Sequence, residues 1–169
     1  MYKFAGIIMV ASACAGYVFM RAAVIKSKYK NLCQIKKAIT YLKHEMSFSA
    51  AQVGVLCKEM ARQTKGEVSE ALSEAAELLD KDKTLDFEKA WAKAKDTQKL
   101  FSDEVEEIVW EFSKSLGKKS IDIELDNIKK TEKRLENLII QEEEKTKKDT
   151  KLIYTLGGAA CAAIVILAI

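Results

Sequence analysis

The chain has 169 residues, of which 49% are hydrophobic and 31% charged, with a formal net charge of +3. It contains no proline and only 7 glycines, too few for the many turns of a sheet protein of this length, so a few long helices are expected. The small net charge gives no reason to expect nucleic acid as a partner. Four cysteines without a Cys-x-x-Cys pair, beside the single His44, exclude a Cys/His zinc spacing. The cysteines read as small buried hydrophobes, which suits a reducing compartment.

Phe4 to Met20 carries no charged side chain and lies between Lys3 and Arg21. Seventeen residues of helix span about 26 Å, the short end of what crosses a bilayer. The run has no polar face, and a helix apolar all round belongs in lipid or in the centre of a larger protein than this. The segment 1–21 is therefore expected to be a membrane helix, anchored by Phe4, Ile7, Ile8, Val10 and Phe19. A cleaved lipoprotein-type leader ending at Ala11-Ser12-Ala13-Cys14 is the competing reading. The run continues through Tyr17-Val18-Phe19-Met20 beyond that cysteine, and Ala11 stands where a larger aliphatic is usual, which argues against it. Arg21, Lys26, Lys28, Lys30, Lys36 and Lys37 follow, with no acid before Glu45. By the bias of basic residues toward the cytoplasmic side, this points the middle of the chain to the cytoplasm.

The middle, 22–148, reads as a compact antiparallel bundle of about six helices. The first carries Leu32, Ile35, Ile39, Leu42 and Met46 at spacings of three and four. Ser49 reads as an N-cap with Gln52 completing a capping box, and Phe48 and Val53 as a hydrophobic staple. The second face is Val53, Leu56, Cys57, Met60 and Ala61, with Gly66 placed to end the helix. A third helix shows Val68, Leu72, Ala75, Ala76 and Leu79. Thr84 is expected to cap a short fourth with Phe87, Ala90, Trp91 and Ala94. The fifth carries Phe101, Val105, Ile108, Val109, Phe112 and Leu116, ended by Gly117. Trp91, Trp110 and the phenylalanines all fall at core spacing. Ser120 starts a long sixth helix with Ile121, Leu125, Ile128, Leu135 and Ile139 on one face, interrupted by Glu132.

Past Ile140 the apolar face disappears into QEEEKTKKDTK, where Glu143–Lys147 and Glu144–Lys148 are favourable i,i+4 pairs. From Leu152 to Ile169 there is again no charge. The segment 149–169 is expected to be a second membrane helix, anchored by Ile153, Leu156, Ile164, Val165, Ile166 and Leu167. Gly157, Gly158, Ala159 and Ala160 form a small-residue stretch suited to close helix packing.

No motif carries catalytic chemistry. Asp80, Asp82 and Thr84 match the first ligands of a calcium loop, but Leu85 stands where glycine is needed and Trp91 where the bidentate glutamate is needed, so an interhelix turn is the better reading. His44-Glu45 lacks the second histidine of a zinc protease helix. No enzyme activity, metal or cofactor is expected. Asp80, Asp82, Asp86, Lys93, Lys95 and Lys99 are candidate partner-surface residues; a solvated face is the simpler reading of each.

A short apolar run, a basic helix, YLKHEMSFSAAQ, the pair Ala90-Trp91, Leu116-Gly117, a long charged helix and LIYTLGGAACAAIVILAI follow one another in this order. In that order the chain resembles the stage III sporulation protein AB family of endospore-forming bacteria over essentially its whole length. Leu42 to Phe48, followed by Ser49-Ala50-Ala51, matches a family segment whose usual Thr-Pro-Leu start here lacks the proline. Of a second family segment, Leu-Gly-x-Ser-Asp-x-x-x-Gln, only Leu116-Gly117 survives, with Lys119, Ser120 and Glu124 in the later positions. The family's soluble part is similar to the cytoplasmic domain of the type II secretion inner-membrane platform protein F. The resemblance implies a non-enzymatic platform in the mother-cell membrane facing the forespore. It would link a secretion-type ATPase of the stage III sporulation protein AA kind to membrane channel components, with homo-oligomers an open option. An exported lipoprotein or envelope scaffold is the alternative; a self-assembling coiled coil is a third reading, disfavoured by short helices separated by caps.

Overall fold

The computed structural model describes residues 2–48, 52–95, 99–118 and 120–168, with side chains for all of these except 2–8, 10, 11, 48, 164, 165, 167 and 168. Regular structure among the described residues is entirely helical: α1 (Tyr2–Phe48), α2 (Val53–Gln63), α3 (Glu67–Lys81), α4 (Phe87–Lys95), α5 (Asp103–Ser115) and α6 (Ile121–Ala168). The chain forms two compact units. One is Lys30–Ile140; the other joins Met1–Tyr29 to Gln141–Ile169, so α1 and α6 contribute to both. The unit boundaries fall inside the segment 22–148 read from the sequence as the bundle.

In the unit 30–140 the helical period sorts side chains as expected. Leu32, Ile35, Ile39 and Leu42 of α1 meet Leu56, Cys57, Met60 and Ala61 of α2, Val68 and Leu72 of α3, Phe87 and Trp91 of α4, and Ile108, Val109 and Phe112 of α5 in one core. Trp91 and Phe101 are its largest fully buried members, and Phe87 stacks on Trp91 at 6.2 Å. Burial pushes the Cys57 thiol up to about 12, which keeps it neutral and unreactive. Asn31 ties α1 to its neighbours: its Nδ2 donates to the Glu67 carboxylate at 2.5 Å and to the Leu100 carbonyl at 3.0 Å.

The helix ends differ from expectation in three places. The second helix starts at Val53, with Gln52 as N-cap and no side-chain capping bond, where Ser49 was expected to be the N-cap. Leu56 N–H instead bonds the Gln52 carbonyl at 3.1 Å, and Ser49 lies outside the described residues. Gly66 does not end α2. Thr64 does, its hydroxyl donating to the Met60 and Ala61 carbonyls, while Gly66 is the N-cap of α3 at φ 68°, ψ −150°, a conformation that a Cβ disfavours. Thr84 does not cap α4 either. Its N–H and hydroxyl both donate to Asp82, and the first helical bond runs from Ala90 N–H to the Asp86 carbonyl. Gly117, at φ 80°, does follow the C-cap Leu116 as predicted.

Two side chains sit contrary to their spacing. Trp110 is 38% exposed, with Lys114 Nζ 5.0 Å above its ring, so it is not a core residue. On α6 the inward face is Glu124, Ile128, Thr131, Leu135 and Leu138, while Ile121 and Ile123 are half exposed. That face is rotated from the predicted one and brings the interrupting Glu132 close to α1.

Among the described residues no helix is long and apolar enough to cross a membrane. The runs read as spans extend over 4–8, 10–11, 164–165 and 167–169, whose side chains lie outside those residues.

Candidate functional site

The ends of the chain form a helix pair. Val18 meets Gly157, and Phe19 meets Tyr154 edge to face with ring centroids 5.8 Å apart. Moving down α1 therefore means moving up α6: the two segments are antiparallel. Gly157 permits the approach. A Cβ at that position would overlap Val18 Cγ2 and lie 3.1 Å from Cγ1. Ala160, nearly a turn further along α6, lines the same groove, whereas Gly158 has open space beside it and Ala159 is exposed. Of the four small residues, Gly157 thus meets α1 of the same chain and Ala160 lines the groove beside it.

Polar groups decorate one end of this pair. The Arg21 guanidinium lies 5.9 Å from the Tyr17 ring, and Lys26 Nζ lies 5.9 Å from that of Tyr154. The groove between the helices is open and encloses about 660 Å³; Arg21 is the one charged side chain among those lining it. The pair presents bare apolar side chains: Met9, Phe19, Met20, Leu152, Leu156 and Ile166 are all more than half exposed, with Leu152 and Leu156 at the edge of the groove. So many large apolar side chains left exposed on one helix pair signal a membrane or a partner. Of the expected anchors, Phe19, Leu156 and Ile166 are among these exposed side chains and Ile153 lines the groove; Phe4, Ile7, Ile8, Val10, Ile164, Val165 and Leu167 fall outside the described side chains. Next to the pair, Glu143–Lys147 and Glu144–Lys148 form at 2.6 and 3.6 Å.

The charged residues of the expected partner surface are mostly engaged with neighbours. Asp80 pairs with Lys83 at 2.5 Å, which holds its carboxyl below the ordinary range, and the two Thr84 donors do the same for Asp82. Asp86 and Glu88 share Lys118 at 3.4 and 3.2 Å, raising that ammonium. Lys95 pairs with Glu106 and Lys99 with Asp103, while Lys93 is exposed. These contacts fasten the α3–α4 turn and the α4–α5 neighbourhood; they do not converge on one point. Among the described residues no three His, Cys, Asp or Glu side chains gather as they would for a metal ion.

Sequence periodicity missed one polar cluster. Glu132 accepts from Thr40 Oγ1 at 2.6 Å and from Lys43 Nζ, with both charged side chains at most a quarter exposed. Burial would push the Glu132 carboxyl up; the hydrogen bonds from Lys43 and Thr40 outweigh it and hold it below its ordinary value. The signal was the charge interrupting an apolar stripe, with Lys43 doing the same one helix away.

A family model for stage III sporulation protein AB matches residues 3–169. The chain belongs to the stage III sporulation protein AB family. Membership gives it a role in sporulation, and it agrees with the resemblance drawn from motif order. A solved structure titled "Stage III sporulation protein AB (SpoIIIAB)" is 20% identical, with a TM-score of 0.63, over 71% of this chain and 96% of that one. At this identity the likeness establishes the helical-bundle fold that the two share. No curated protein matches.

Proposed function

We propose that this family member is a non-enzymatic membrane platform of a sporulation complex. Both ends of the chain sit in the mother-cell membrane facing the forespore, and the bundle faces the mother-cell cytoplasm. There it meets a secretion-type ATPase of the stage III sporulation protein AA kind and couples it to channel components in the membrane.

One observation carries the membrane part of this reading. The antiparallel packing of the terminal helices brings two charge-free runs, 4–20 and 152–169, alongside each other. With Val18 at Gly157 and Phe19 at Tyr154, the first charge after the run on α1, Arg21, and the last charge before the tail run, Lys151, come within about a turn of the same level. Two runs separated by more than a hundred residues thus meet their charged flanks at one level, as two helices entering one slab would. Tyr17 and Tyr154 beside Arg21 and Lys26 supply the aromatic–cation belt expected at an interface. The ATPase partner rests on the family resemblance and on the basic flank that orients the bundle.

Topology is tested in cells expressing the full chain with Asp82, on an exposed turn, replaced by cysteine. A membrane-impermeant maleimide should label it only after the membrane is opened. Labelling in intact cells would overturn the cytoplasmic reading in favour of an exported scaffold. Affinity isolation of the full chain from sporulating cells should bring down the ATPase; a clean isolation without it would remove the adaptor role.

A further inference from the structure

We propose that Cys14 and Cys161 form a thiol pair that oxidation closes into a disulfide, tying the two ends of the chain to each other. Their placement follows from the register of the terminal helices. Cys14 lies one turn before Val18 on α1, and Cys161 lies one turn after Gly157 on α6. Because Val18 meets Gly157 and the helices are antiparallel, these two steps lead to the same level. Both cysteines line the same groove. Each is half buried and free. The other two cysteines are not in this unit: Cys57 is buried in the bundle core, and Cys33 also belongs to 30–140.

The groove decides the kind of oxidant. It is open, and beside the thiols it presents Ala13, Tyr17, Val18, Leu156 and Ala160, so a small apolar molecule reaches the sulfurs where a hydrophilic disulfide does not. An acceptor of the quinone class, dissolved in the apolar phase, fits. Both S–H bonds break and one Sγ–Sγ bond forms. The quinone takes the two electrons and two protons and leaves as the hydroquinone, and an external dithiol reverses the step. Closure makes nearly the whole chain one covalent ring and holds α1 and α6 in the Val18–Gly157 register. The choice of oxidant rests on the membrane reading above; the pairing of the thiols rests only on the packing of the two ends.

The test uses the full chain in phospholipid vesicles treated with tetramethyl-1,4-benzoquinone, whose fully substituted ring resists thiol addition. After proteolysis, the peptides carrying Cys14 and Cys161 should stay joined until a reductant is added. Cys14→Ser or Cys161→Ser should abolish the joined species completely, and Cys33→Ser should leave it unchanged. Separate peptides after oxidation would overturn the proposal, as would a product linking Cys14 or Cys161 to Cys33 or to a second molecule. Alkaline extraction of the same vesicles separates the two readings. A joined product on an extractable protein sinks the membrane reading and keeps the pair; a firmly embedded protein without the joined product sinks the pair alone.

Discussion

The two units of this protein use the same apolar residue types in opposite ways. In 30–140, side chains such as Phe101, Ile39 and Leu72 are fully buried, and charges such as Lys65, Glu74 and Lys89 face outward. In the terminal pair, Met9, Phe19, Leu156 and Ile166 face outward, while small residues such as Gly157 and Ala22 face inward. The first arrangement is what water imposes, since burying apolar area is then the main stabilising term. The second removes little apolar area and relies on close backbone approach through Gly157, as helix association in lipid does. The membrane reading proposed above would account for the contrast, with each unit built for its own solvent.

The largest test of that contrast compares Phe101→Ala with Leu156→Ala in the full chain, followed by thermal and chemical denaturation in detergent. Truncating the buried Phe101 should destabilise the bundle by about 3–5 kcal/mol. The exposed Leu156 should change bundle stability by less than about 0.5 kcal/mol. Equal losses would mean that the tail belongs to the same core.

Next comes Ile164→Lys, which should weaken insertion of the tail by about 3 kcal/mol on translocon scales. Its readout is resistance to alkaline extraction. Unchanged resistance would show that the tail run does not meet lipid.

Third is the polar contact inside the bundle. Glu132→Ala should destabilise it by about 1–3 kcal/mol, because Lys43 and Thr40 lose their shared acceptor. Folding lowers the Glu132 pKa below its ordinary value of 4.5, so its stabilisation is present above that value and lost as pH falls through the lower folded one. Unfolding followed from neutral to acid pH should show that loss in the native chain and a flatter response in Glu132→Gln. An identical pH response in both would remove the carboxylate from the account.

The smallest effect is expected at the surface. Asp80→Ala should leave the thermal midpoint of the bundle almost unchanged, since the Lys83 pair it removes is exposed to solvent; a clear drop would mean that this turn fastens the fold.

Much of the fold was legible because the helical period writes the buried face directly into the order of residues. Leu56, Cys57, Met60 and Ala61, or Val105, Ile108, Val109 and Phe112, need no partner to be recognised as one side of a helix. Helix ends were less legible. Gly66 has the composition of a stop signal and serves as a start, because a left-handed φ satisfies either role and only the neighbouring Thr64 bonds decide which. Trp110 shows the limit of spacing alone: the arc of an α5 turn that it occupies faces Lys114 and solvent, since the core beneath is already filled by Val109 and Phe112.

From sequence alone came the all-helical class, the inward faces of α2 to α5, the two charge-free runs and, through the order of weak motifs, the family. These are local or ordered along the chain, so a reader of one residue after another can see them. Tertiary structure alone decided that Glu132 meets Lys43, that Val18 needs Gly157, and that Cys14 comes to Cys161. Each of those pairs is separated by many tens of residues. Nothing in a helix's own period says which distant helix will lie against it, at what level, or with which residue left facing out.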